Sequence, residues 1–108
     1  MADLARRNCV PCTGETPPVT GKEAARLLAL LDRWSMEKGH HLTRTFEFPD
    51  FAASLAFANR VGEMAEEQQH HPDIHISWGR VRLVIWTHAI DGLSENDFIL
   101  AAKIDALQ

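Results

Sequence analysis

Apolar residues recur along this chain in two periods, and the switches between them lay out the elements. Ala24, Leu27, Leu28 and Leu31 are spaced as one helix face, and Thr20 followed by Glu23 is a capping-box signature for that helix. Ahead of it, Pro11, Gly14, Pro17 and Pro18 oppose regular structure, so residues 1–19 read as an extended N-terminal arm and residues 20–108 as the folded domain. Between Trp34 and Phe48 the period drops to two. Leu42, Phe46 and Phe48 alternate with polar residues around a turn near Gly39 and His40, which predicts two strands, with Arg44 interrupting the apolar face. Asp50 is a good N-cap for a second helix over about residues 51–69. Phe51, Leu55, Ala58 and Val61 or Gly62 are its expected inward stripe, with Arg60, Glu63, Glu66 and Glu67 in water. Pro72 stops it. Strands are expected over 73–78 and 80–87, and a last helix from Ser94, where S-E-N-D supplies the cap and Phe98, Ala101, Ala102 and Ile104 or Asp105 follow. The order α-β-β-α-β-β-α points to an α+β fold, one antiparallel sheet with helices on one face.

The second hairpin carries a register prediction. Gly79-Arg80 has the glycine-first pattern of a two-residue type II′ turn. That turn pairs Trp78 with Val81, Ile76 with Leu83 and Ile74 with Ile85, all apolar, and a one-residue slip would spoil the face. Carried to the open end, it sets His71 opposite His88.

Composition excludes several classes. One domain fits 108 residues. A chain 45% hydrophobic and 24% charged folds, and a net charge of −4 argues against nucleic acid as a direct ligand. No apolar run approaches the roughly 20 residues of a membrane span, and MADLARRNCV lacks a signal-peptide core. A cytoplasmic protein with no membrane partner is expected. A sheet covered on one face leaves its other face, with Val84 and Trp86, and its edges open, which predicts a homo-oligomer.

Candidate chemistry concentrates in QQHHPDIH, residues 68–75. His70 and His71 follow the second helix, Glu66 lies one turn back, and the hairpin brings His88 to them. Three readings stand: a zinc site, a solvated loop end, or acid–base chemistry, for which imidazole, with an ordinary pKa of about 6.5, suits neutral pH. Adjacent His70 and His71 would diverge unless the loop turns sharply, and no H-x-x-x-H or further cysteine supports the metal. His75, between Ile74 and Ile76, is expected on the exposed side of its strand, and His40 and His41 in a turn. Cys9 and Cys12 form a lone C-x-x-C in the arm, either inert or a redox or metal pair.

E-x-x-x-H-H-P from Glu66 to Pro72, Trp78 six positions later, T-H at Thr87-His88 and G-L-S-x-x-D from Gly92 to Asp97 resemble the pterin-4a-carbinolamine dehydratases. The resemblance extends over nearly the whole chain. It implies a four-stranded antiparallel sheet with three helices, assembling into dimers or tetramers. It implies dehydration of 4a-hydroxytetrahydropterin to quinonoid dihydropterin, a step that recycles the cofactor of aromatic amino acid hydroxylases, with no metal and no cofactor. By resemblance the catalytic histidines fall on His70, His71 and His88, and Glu66, Pro72, Thr87 and Asp97 match binding positions. Gln69 stands where the family often has an acidic residue, and Ile74 where it often has an aromatic one. Two alternatives belong to the same fold: a coregulator module for a homeodomain transcription factor, and a related pterin site in molybdopterin metabolism.

Overall fold

The computed structural model describes residues 4–108, so the first three residues of the expected arm lie outside the described residues. The elements are α1 (Gly21–Leu28), β1 (Ser35–Glu37), β2 (His41–Glu47), α2 (Phe51–Gln68), β3 (Asp73–Ser77), β4 (Arg80–Ile85) and α3 (Glu95–Asp105). This is the α-β-β-α-β-β-α order and the α+β class expected. The strands form one antiparallel sheet in the order β1-β2-β4-β3, which makes β2 and β4 central.

Period-two alternation explains the sheet. Leu42, Arg44 and Phe46 of β2 stand opposite Ile85, Leu83 and Val81 of β4, and all six are buried under the helices. The other face shows Thr45, Glu47, His75, Ser77, Arg80 and Arg82 to solvent. Among its residues Val84 is buried and Trp86 half-buried, so what this face shows to solvent is mainly polar. The charge on the inner face has a local answer. Arg44 Nη1 donates to Asp105 Oδ1 of α3 at 2.6 Å, Trp34 Nε1 donates to the same oxygen at 2.8 Å, and the guanidinium lies 4.1 Å over the Phe46 ring. A buried cation is tolerable when so paired.

Three expectations are corrected. The second hairpin turns at Trp78-Gly79, pairing Ile74 with Leu83 and Ile76 with Val81, two residues away from the expected register. A shift of two keeps every side chain on its face, so apolar matching could not detect it. The turn is set instead by docking: Phe48 N donates to Gly79 O at 2.9 Å, Ser54 Oγ donates to Trp78 O at 3.2 Å, and a Cβ on Gly79 would lie 3.0 Å from Phe48 O. Trp78 is 68% exposed. In α2 the buried residues are Ser54, Phe57, Ala58, Val61 and Ala65, while Phe51 and Leu55 are exposed. The helix carries two apolar stripes, and tertiary packing chose the one through Phe57. Thr20 caps α1 by backbone conformation alone, since its side chain makes no cap bond and Glu23 accepts from Arg26 instead. A capping box does form at Ser94 and Asp97, and Asp50 accepts from Ala53 N at 2.8 Å.

Candidate active site

The end of α2 decides where the adjacent histidines point. Gln69 adopts a left-handed conformation (φ 53°, ψ 39°), and its N–H and that of His70 bond back to the last turn of the helix. This left-handed termination swings the chain sharply, usually with glycine at that position. His70 thereby turns inward and is buried, while His71 turns outward, its Nε2 3.1 Å from Glu66 Oε1. The two rings diverge.

Behind His70 stands a saturated carboxylate. Asp97, with no exposed surface, lies 2.6 Å from His70 Nε2 through Oδ1, while Oδ2 accepts from Thr87 Oγ1 and from Ser94 N, each at 2.8 Å. Thr87 Oγ1 also meets Ser94 Oγ at 2.7 Å. A carboxylate only accepts, so the His70 hydrogen on this side is on Nε2. A neutral ring is then bare at Nδ1, which faces the arm, 4.0 Å from Cys12 Sγ. The capping box of α3 is the device that pins this carboxylate: Asp97 caps the helix through Oδ2 and orients the imidazole through Oδ1.

His88 follows β4. Thr87 and Gly92 form an isolated antiparallel bridge, with Thr87 N donating to Gly92 O at 2.8 Å, which pinches residues 88–91 into a short loop. His88 is exposed at its start. Its ring sits 4.3 Å, centroid to centroid, from that of Trp86, which is 5.4 Å from His40 and 6.2 Å from His41. His40 Nε2 is 2.8 Å from Asp91 Oδ1 and its Nδ1 3.1 Å from His41 Nδ1.

Cys12, Gln69, His70, His71, Trp86, Thr87, His88 and Ala89 together line a cleft of about 200 Å³. His70, His71, Thr87 and His88 therefore share one cavity. His71 and His88 reach it from the loops that follow α2 and β4 rather than as a cross-strand pair, because the observed register ends at Asp73 and Ile85. Asp97 acts on the cleft through the two lining residues it holds, His70 and Thr87. Glu66 contacts it only through His71, and lines a separate open groove of about 710 Å³ between α2 and β3. Pro72 is half-buried between His71 and the start of β3. Reading from residues missed Cys12 in the lining and the packing of the His40–His41 pair against Trp86, which does line it. Leu42 facing Ile85 is the contact that brings that pair to Trp86.

Cys9 differs from Cys12. Both are free thiols, but burial pushes the Cys9 thiol up to about 11, against a smaller lowering by Lys103.

Comparison with known proteins gives the family. Residues 17–107 match the model of a family described as pterin 4 alpha carbinolamine dehydratase. A Rubrobacter xylanophilus protein named provisionally as a pterin-4-alpha-carbinolamine dehydratase is 52% identical over 107 residues, spanning 99% of this chain and all of its own. One of the same name from Methylococcus capsulatus is 49% identical, spanning 96% of this chain and 92% of its own. Among solved structures, a transcriptional coactivator/pterin dehydratase from Brucella melitensis superposes with a TM-score of 0.79 at 32% identity, over 84% of this chain and 98% of that one. A pterin dehydratase-like protein described as a RuBisCO assembly factor in the alpha-carboxysome gives 0.57 at 26% identity, over 69% and 86%.

Proposed function

Since the chain belongs to the pterin 4 alpha carbinolamine dehydratase family, we propose that it converts 4a-hydroxytetrahydropterin to quinonoid dihydropterin and water. The observation that carries this reading is the meeting of His70, His71 and His88 on one small cleft. An imidazolium gives a proton to the C4a hydroxyl, the C4a–O bond breaks, and water leaves as the N5 lone pair closes the C4a=N5 bond. A neutral imidazole then takes the N5 proton. One proton is given and one taken, so no oxidant or metal enters the balance.

His71 and His88 are exposed at one cleft, which suits both to this relay. His70, tied to Asp97, orients the pterin, with Thr87, Glu66 and Pro72 completing the frame and Trp86 offering a flat wall. The recycled product re-enters a hydroxylase cycle in the cytoplasm. The test is a stopped-flow assay on chemically generated 4a-carbinolamine. Alanine at His71 or His88 should lower kcat by roughly 10²-fold or more with binding of an unreactive pterin nearly intact, whereas His70→Ala should chiefly raise KM. Full kcat in all three variants would end the acid–base reading.

A second reading, an interaction role, rests on a different surface. Leu55 and Ile76 are exposed beside the groove between α2 and β3, and of the two solved neighbours one is described as a transcriptional coactivator/pterin dehydratase and the other as a RuBisCO assembly factor. The same surface suits a homo-oligomer better than the polar sheet face does. Light scattering returning a monomer across micromolar concentrations would count against self-association.

A further inference from the structure

The segment ahead of residue 17 lies outside the span that the family model matches, yet it forms one wall of the cleft. It is strapped down at several points. Lys103 Nζ donates to Ala5 O at 2.9 Å and Cys9 N to Gln68 Oε1 at 2.8 Å. Asn96 pairs with Val10 as a backbone amide would, accepting from Val10 N at 3.0 Å and donating to Val10 O at 2.6 Å. Asn96 is buried at the start of α3, next to Asp97. These straps deliver Cys12 to the cleft, where its Sγ receives Asn96 Nδ2 at 2.9 Å and stands 4.0 Å from His70 Nδ1.

We propose that Cys12 is a positioning residue of this cleft, its thiol holding the Nδ1 side of the His70 ring while Asp97 holds the Nε2 side, so that the arm completes the site. The effect on rate rests on the dehydratase reading; the contact does not. A thiol is both a weak donor and a weak acceptor, and that matches an imidazole that changes protonation. With His70 neutral, S–H points to bare Nδ1. With His70 protonated, Nδ1–H points to sulfur and the thiol hydrogen turns to Val10 O, 3.8 Å from Sγ. The ring keeps a partner in both states and does not swing into the space the pterin needs. Cys9 supplies the control: its sulfur contacts Asn96 O at 3.6 Å, and it does not line the cleft.

The test uses full-length protein with 15N-labelled histidine, as wild type, Cys12→Ala, Cys12→Ser and Cys9→Ala. In Cys12→Ala the Nδ1 resonance of His70 should move toward that of a ring nitrogen accepting no bond, while the Nε2 proton facing Asp97 stays in place. Serine at position 12 should restore part of the shift, and Cys9→Ala should leave it unchanged. In the dehydratase assay Cys12→Ala should lose roughly 2–10-fold in kcat, the worth of one ordinary hydrogen bond, and Cys9→Ala nothing. An unmoved His70 Nδ1 in a folded Cys12→Ala protein would overturn the proposal, as would an equal shift in Cys9→Ala. Should Cys12→Ala fail to fold, the serine variant decides, since its shorter side chain must still displace the Nδ1 signal. Absence of dehydratase activity in the wild type would defeat the functional reading and leave the resonance result to judge the contact.

Discussion

Replacing Asp97 with asparagine tests the link between fold and cleft, because shape is kept and acceptor capacity is not. The carboxylate accepts from His70 Nε2, Thr87 Oγ1 and Ser94 N with no solvent on it. The amide has one oxygen. If that oxygen stays with Thr87 and Ser94, its NH₂ meets the Nε2 hydrogen of His70, donor against donor. The ring must then move its hydrogen to Nδ1, which turns a donor toward Cys12 and the cleft. If the amide flips, Ser94 N and Thr87 Oγ1 lose their acceptor and α3 loses half of its capping box. Either way one buried, charge-assisted bond disappears, worth about 1.5–3 kcal/mol, with up to about 1 kcal/mol more from the cap. A net loss of about 2–3 kcal/mol corresponds to a fall in Tm of roughly 10–20 °C for a chain of this size. Misdirecting a positioned group also costs rate, here about 10–100-fold in kcat. Thermal melting followed by circular dichroism, with stopped-flow dehydration on the same samples, reads both. A variant melting within about 3 °C of wild type at full rate would refute the assignment of Asp97 as the hub.

Three further outcomes follow from the same geometry. Asp105→Ala removes the principal counter-charge of buried Arg44, leaving Asp32 3.8 Å away, and should cost about 3–5 kcal/mol in urea unfolding; replacing Arg44 and Asp105 together by apolar residues should recover most of it. Gly79→Ala puts a Cβ 3.0 Å from Phe48 O, which should lower stability by about 1–3 kcal/mol without altering the cleft. Cys9 is an acid raised from 9.0 to about 11 by burial: below pH 9 both states hold the proton, and between pH 9 and 11 the unfolded chain sheds it first, so its contribution to stability should be lost over that window. A pH series of melts should show this alkaline slope reduced in Cys9→Val, and iodoacetamide at pH 8 should label Cys12 well before Cys9.

How much of this was legible depends on which symmetry each pattern carries. Strand faces were readable because period two survives a register shift of two: Ile74, Ile76, Val81 and Leu83 share a face in either pairing, whereas the turn that separates the pairings is selected by Phe48 and Ser54, distant in sequence. The inward side of α2 was ambiguous because Phe51 and Leu55 make as good a stripe as Ser54, Phe57 and Val61, and only the sheet beneath the helix distinguishes them. Local chemistry read well where it was local, as in Asp50 and the Ser94–Asp97 box. The site itself needed more than motif spacing. His70 and His71 look equivalent in QQHHPDIH, and one left-handed residue, Gln69, sends them in opposite directions. That divergence gives one ring a buried carboxylate and the other an exposed one. Cys12, which motif reading left out, lies far from the motif in sequence and reaches the cleft through Asn96; His40, also far in sequence, reaches Trp86 through the β2–β4 pairing. With Leu42 known to face Ile85, His41 at the start of β2 and His40 in the turn before it are bound to meet the residues that follow Ile85, Trp86 first among them. The missing information was therefore the order of the strands, since it is the setting of β2 against β4 that packs the His40–His41 pair on Trp86.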